Sequence, residues 1–155
     1  MAIGQTLPHE EIIETVQTRA GELSLVRDKQ DDVSPLYIKL NGQVIAEKRS
    51  AYRFSTVYGV YPKEYPIYIL ISLTEGGSVC ATKFTLVDGS SSSKPKVTKD
   101  FGNCSDAPKV AYRADSLTIT FPAGSRKPNP AVYYVGPRQV WLYRDGKLRR
   151  VGGSK

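Results

Sequence analysis

The sequence predicts a mainly β protein, an antiparallel β-sandwich or barrel with one N-terminal α-helix, and three observations carry that expectation. From Glu22 onward the chain is a succession of short runs rich in β-branched and aromatic residues, among them "ELSLVRD", "PLYIKL", "QVIAEK", "YRFSTVYGVY", "SVCATKFTLV", "SLTITFP" and "AVYYVG". Turn signals such as Asn41-Gly42, Glu75-Gly76-Gly77 and Asp145-Gly146 separate them, and short runs with close turns of this kind mark strands joined as hairpins. The most apolar stretch, "YPIYILISL", has the length of a strand and falls well short of the roughly 20 residues that cross a bilayer as a helix, so no membrane span is expected.

The third observation is that only "LPHEEIIETVQTRAG" carries helix signals. Pro8 suits the first helical position, Glu10 and Glu11 complement the positive end of the helix dipole, Arg19 falls in the last turn, and Gly21 can close the C-terminus. Ile12, Ile13, Val16 and Ala20 then share one face. The expectation is a helix over 8–20 and a β domain over 22–151, within a single domain spanning 1–155. At 155 residues and 40% hydrophobic content, the chain can bury a core without help from a metal.

Charge is distributed unevenly. Residues 1–125 carry 14 Lys and Arg against 14 Asp and Glu, whereas Arg126, Lys127, Arg138, Arg144, Lys147, Arg149, Arg150 and Lys155 face only Asp145 in the remainder. The formal charge of +7 therefore resides in the last thirty residues, and a clustered excess has a usable field within a Debye length of about 8 Å. The expected partner is anionic: an acidic polymer or the acidic face of a protein. Nucleic acid is a lesser candidate.

Within that segment, "VWLYRDGKLRR" frames an Asp-Gly turn with aromatic and basic residues. A three-residue loop over Arg144-Asp145-Gly146 would set Tyr143 opposite Lys147 and Trp141 opposite Arg149, gathering Trp141, Tyr143, Lys147 and Arg149 on one face. A two-residue loop would instead set Arg144 opposite Lys147. The first register is preferred because it separates apolar from basic side chains, and interleaved rings and cations can stack on and neutralise an anionic ligand. A second candidate surface is the tyrosine-rich stretch "YRFSTVYGVYPKEYPIY". Tyr58, Tyr61 and Tyr65 flank Gly59, Pro62 and Pro66 there and are expected in loops suited to protein recognition, while Tyr52 and Phe54 are expected partly in the core.

Cys80 and Cys104 lie symmetrically about Ser92 in "SVCATKFTLVDGSSSSKPKVTKDFGNCS". A hairpin centred there pairs Val87 with Val97 and brings Cys80 to Cys104, so a disulfide and an oxidising compartment are expected. The N-terminal "MAIGQTLPHEE" lacks a basic start and an apolar core, leaving either a cytoplasmic protein or an exported one whose leader has been removed. The sequence "NCS" at Asn103 fits the glycosylation acceptor pattern, but its cysteine is wanted for the disulfide.

No catalytic or cofactor motif stands out. His9 is the only histidine, too few for a metal site or for His-assisted nucleophilic chemistry. Asp31, Asp32, Glu75, Asp100, Asp106 and Asp115 are available, but nothing in their spacing pairs them for acid and base roles, and neither a dinucleotide fingerprint nor a phosphate loop is present. No metal, no cofactor and no enzymatic activity are expected.

The run "FGNCSDAPKVAYRADSLTITFP", Phe101 to Pro122, resembles a segment of small exported bacterial proteins of unknown function. There, a Phe-Gly-x-Cys turn, an "SD-x-P" bend and an alternating strand follow one another. The resemblance implies a β fold and a periplasmic or secreted location, and it carries no catalytic residue. The resulting expectation is a non-catalytic exported protein that binds an anionic partner through its C-terminal hairpin. The alternative is an inhibitor or immunity-type protein that engages a toxin or hydrolase through the tyrosine-rich loops.

Overall fold

The computed structural model describes residues 9–31, 34–49, 54–74, 80, 82–124 and 135–153. All regular structure among them is β, arranged as three antiparallel sheets that follow one another along the chain. The first is the meander β1 (Glu10–Thr18), β2 (Gly21–Asp28), β3 (Leu36–Leu40) and β4 (Gln43–Lys48). The second contains β5 (Phe54–Tyr61), β6 (Tyr68–Thr74), β7 (Thr82–Asp88) and the short β8 (Lys96–Val97), with β9 (Phe101–Cys104) also paired to β7. The third is the meander β10 (Lys109–Arg113), β11 (Ser116–Phe121), β12 (Gln139–Arg144) and β13 (Lys147–Gly153). The run expected as a strand over 131–136 falls mostly outside the described residues.

The second sheet is the middle layer, and side-chain alternation shows why. Ile69, Ile71 and Leu73 of β6, with Val87 of β7, pack with Leu23, Leu25, Leu36, Ile38 and Leu40 of the first sheet. Tyr68 and Leu70 of β6, with Phe84 and Leu86 of β7, turn the other way and pack with Leu117, Ile119, Phe121 and Tyr143 of the third. Because both faces of β6 are covered, its sequence reads as an almost unbroken apolar run instead of alternating. Each Leu or Ile buried to this degree contributes about 1.5–3 kcal/mol relative to an exposed position. The edges of the first two layers are joined by Glu14, whose Oε1 accepts hydrogen bonds from the Val57 amide at 2.8 Å and the Thr56 hydroxyl at 2.9 Å.

The expected helix over 8–20 is not formed: residues 10–18 are strand β1. Five of its nine residues, Ile12, Ile13, Thr15, Val16 and Thr18, are β-branched, and β2 offers a full antiparallel partner from Glu10↔Asp28 to Thr18↔Gly21. The register shifts between Ile12 and Glu14, so the apolar residues no longer alternate at period two and come to mimic helical spacing. Ile12 stands 61% exposed, and of the residues assigned to the supposed helix face only Ala20 belongs to the core. Gly21 does not close a helix but opens β2 at φ +131°, where a Cβ would collide with the Asn41 side chain. Of the two aromatics expected partly in the core, Tyr52 lies outside the described residues and Phe54 is exposed at the start of β5.

The Ser-rich segment closes a hairpin in which Val87 pairs with Val97, as its symmetry predicts. Beyond that point the register slips, so that Thr82 rather than Cys80 lies opposite Cys104. Cys80 and Cys104 are nevertheless joined by a disulfide, with Cα atoms 5.0 Å apart. A disulfide is compatible with an extracytoplasmic location. Beside it, Asn103 is buried, its Nδ2 donating to the Pro122 carbonyl at 2.8 Å and the Pro137 carbonyl at 3.0 Å, and its Oδ1 accepting from the Ser105 amide. That side chain is engaged by the fold and not presented as a glycosylation site. No described helix is long and apolar enough to cross a membrane.

Candidate functional site

The C-terminal hairpin adopts the two-residue loop. Arg144 pairs with Lys147, Tyr143 with Leu148, Leu142 with Arg149 and Trp141 with Arg150. The preferred three-residue register, with Tyr143 opposite Lys147 and Trp141 opposite Arg149, is therefore corrected. Asp145 and Gly146 take φ values of +52° and +75°, the paired left-handed conformation of a tight type I′ turn. The register is also favoured by what it buries. Tyr143 becomes 2% exposed and donates its hydroxyl to Asp88 Oδ2 at 2.5 Å, while Leu148 and Trp141 pack on the same core. Surface partition alone could not reveal a buried carboxylate waiting for that hydroxyl.

The four sequence-predicted residues of the hairpin thus divide between two faces of the third sheet. Trp141 and Tyr143 point inward; Lys147 and Arg149 point outward with Arg144 and Leu142. The outward positions of the neighbouring strands add two further cations. In β10, "KVAYR" turns Val110 and Tyr112 to the core and leaves Lys109, Ala111 and Arg113 exposed. In β11, Leu117, Ile119 and Phe121 are buried while Ser116, Thr118 and Thr120 face out.

Strand register turns these into a pattern. Arg113 faces Ser116, Arg144 faces Lys147, and the Leu117↔Tyr143 pairing aligns those two pairs in one row across the sheet. Arg149 lies in the next outward row, with Leu142, Thr118 and Ala111. With strands about 4.8 Å apart, the row from Arg113 to Lys147 spans roughly 14 Å. No outward position of the four strands carries a carboxylate. The turns at the end of this row hold Asp115, which accepts from the Tyr112 hydroxyl, and Asp145, 3.8 Å from Arg144 and 91% exposed, a solvated pair that contributes little. Like charges placed directly opposite one another destabilise a sheet, so the Arg144–Lys147 pair is a cost that an anion on this face would offset.

Sequence reasoning missed Lys109 and Arg113. The signal was the alternation in "KVAYR", which places both cations on the face opposite Val110 and Tyr112.

Inside the hairpin lies a groove of about 600 Å³, bordered among others by Lys96, Val97, Lys99, Asp100, Phe101, Trp141 and Leu148. Trp141 is partly buried, with its ring 5.3 Å from that of Phe101 and its Nε1 donating to Gln139 Oε1 at 2.8 Å. Burial, followed by the hydrogen bond and charge of Asp88, pushes the Tyr143 phenol far above its ordinary pKa. Burial also pushes the adjacent Tyr68 up to about 12, with further help from the Asp88 charge. Both rings are neutral structural groups at physiological pH.

Of the three tyrosines expected in loops, Tyr58 and Tyr61 belong instead to strand β5, which pairs with β6, and only Tyr65 lies in the connection that follows. Tyr58 sets its ring edge-on to Phe84 and donates its hydroxyl to the Pro108 carbonyl at 2.6 Å. Tyr61 ends β5, packs on the core, and lies against Gly59 so closely that no Cβ would fit there. Tyr65 is 59% exposed, with the Arg19 guanidinium 5.8 Å from its ring centre. Of the carboxylates considered for catalysis, Asp32 and Glu75 lie outside the described residues. Asp100 is paired with Lys48 at 2.9 Å, and Asp115 accepts a hydrogen bond from the Tyr112 hydroxyl. Among the described residues, no group of three or more His, Cys, Asp or Glu is placed to hold a metal ion. No protein-family model, curated protein or solved structure matches the chain.

Proposed function

We propose that this protein is a non-catalytic, periplasmic or secreted binding protein whose third sheet engages an anionic polymer across its outer face. One observation carries the reading: Arg113, Arg144 and Lys147 stand in one row, with Arg149 in the next, on a face without carboxylates. Thr118, Thr120 and Ser116 between the cations supply hydroxyls for hydrogen bonds to sugar or backbone oxygens. The row of cations runs across an open sheet surface, which suits a long polyanion better than a compact substrate. The disulfide supports an oxidising compartment, where acidic envelope polymers are the polyanions at hand.

Retention of the purified protein on immobilised polygalacturonate and heparin, measured from 50 to 500 mM salt, tests this reading. Binding should fall steeply with salt, as counterion release requires. The pair of substitutions Arg113→Glu and Lys147→Glu should abolish retention while leaving the thermal midpoint within about 2 °C, because both side chains are exposed. Retention that persists in this double variant, or that ignores salt, would overturn the assignment.

A second reading, recognition of a protein partner through the tyrosine-rich loop, is favoured by the exposed Tyr65 ring under Arg19. Loss of partner capture on Tyr65→Ala, with polyanion retention unchanged, would support it.

A further inference from the structure

We infer that the groove beneath the C-terminal hairpin is a separate site for a small amphipathic anion, an aliphatic or aromatic body carrying a carboxylate. The inference is independent of the outer face, since the groove opens on the opposite side of the third sheet.

Its lining combines two chemistries. Val97, Phe101, Trp141 and Leu148 form an apolar surface, and the volume of about 600 Å³ falls within the roughly 300–1,000 Å³ typical of small-molecule sites. Trp141 and Leu148 are only partly buried by the protein itself, so a ligand body lying on them would remove further apolar surface from water.

Lys96 and Lys99 stand at the margin, and among the described residues neither makes an ion pair. The groove's own carboxylate, Asp100, is engaged by Lys48. Lys96 also borders a second pocket that holds Asp88, Asp115 and Asp145, so Lys99 is the cation left to the groove. The backbone leaves room for this arrangement at Gly146. There the Lys96 ammonium occupies the space a Cβ would take, so the glycine serves both the turn and the position of the cation. A lysine margin in which Lys99 is the available cation, beside an apolar floor, matches a ligand with one apolar end and one anionic end. A neutral hydrocarbon would leave the cation unused, and a small inorganic anion would leave the apolar floor wet.

Trp141 is the only tryptophan in the chain, so its emission reports on the groove. The full chain, with its disulfide intact, is titrated with decanoate below its micellar concentration, and in parallel with 1-decanol. Decanoate should produce a saturable change in Trp141 emission with a calorimetric stoichiometry of one. Decanol should bind about tenfold or more weakly, and Lys99→Glu should weaken decanoate by a similar factor, the change expected from reversing one charge beside the anion. Lys147→Glu, on the outer face, should leave decanoate affinity unchanged while reducing polyanion retention, so the two sites fail separately. Lys99 is exposed, and an unchanged thermal midpoint verifies that its variant is folded. No saturable change, equal affinity for decanol, or indifference to Lys99→Glu would each overturn the assignment.

Discussion

Replacing Tyr143 by Phe removes one oxygen atom and tests the register on which both proposed surfaces depend. The hydroxyl donates to Asp88 Oδ2 at 2.5 Å, and the other carboxylate oxygen accepts from the Ser90 amide at 2.9 Å. Tyr143 and Asp88 are 2% and 6% exposed, so water cannot readily replace the lost donor. Hydrogen bonds to charged groups contribute about 1.5–3 kcal/mol, and the abandoned carboxylate oxygen places Tyr143→Phe in that range, near 2 kcal/mol. For a chain of this length that corresponds to a fall of roughly 4–8 °C in the thermal midpoint. The assay is urea unfolding at pH 7 together with thermal midpoints from pH 7 to 11.

The pH arm has a definite sign. The folded-state pKa of Tyr143 is raised by burial and by Asp88, so the fold favours the neutral phenol. Its contribution is present in full below the unfolded pKa of about 10 and is lost as pH rises through and beyond that value. Tyr68, raised to about 12, acts in the same direction. The wild-type protein should lose stability above pH 10, and Tyr143→Phe should lose it less steeply, with the slope due to Tyr68 remaining. A variant within 0.5 kcal/mol of wild type at pH 7 and showing the same alkaline fall would refute the buried pair, and with it the two-residue turn.

Two further outcomes are expected. Thiol titration of the unfolded protein should find no free thiol without reductant and two with it, and Cys80→Ser with Cys104→Ser should cost about 3 kcal/mol in urea unfolding, the chain-entropy value for a bridge between residues 24 apart. Asn103→Ala, which leaves the Ser105 amide and the Pro122 and Pro137 carbonyls without their shared partner, should cost about 2–4 kcal/mol. A loss below 1 kcal/mol would show that water substitutes for the amide.

The sequence by itself determined the strands and turns whose signals are local. Asn41-Gly42 and Asp145-Gly146 can both take the positive φ angles of a tight hairpin, so the places of both turns were legible from two letters each, although the sequence favoured a three-residue loop at the second and the structure forms a two-residue one. The Val87↔Val97 pairing was legible for a related reason, because a short hairpin fixes its register near its own loop. The cysteine pairing survived the later slip because a disulfide needs proximity, not direct opposition.

What only the tertiary structure decided was which partner each ambiguous segment meets. Ile12, Ile13, Val16 and Ala20 satisfy a helical spacing, while the first three also fit a strand broken by one irregularity with Ala20 in the turn beyond it, and the choice was made by the edge of β2. The faces of the C-terminal hairpin were decided by Asp88, 55 residues upstream of Tyr143, which offers a buried acceptor that no local pattern announces. The same contact turned Trp141 toward the groove, with Arg150 opposite it, and left Arg144, Lys147 and Arg149 on the outer face. Local periodicity fixes where side chains can point, and the burial of a distant polar partner settles which way they do.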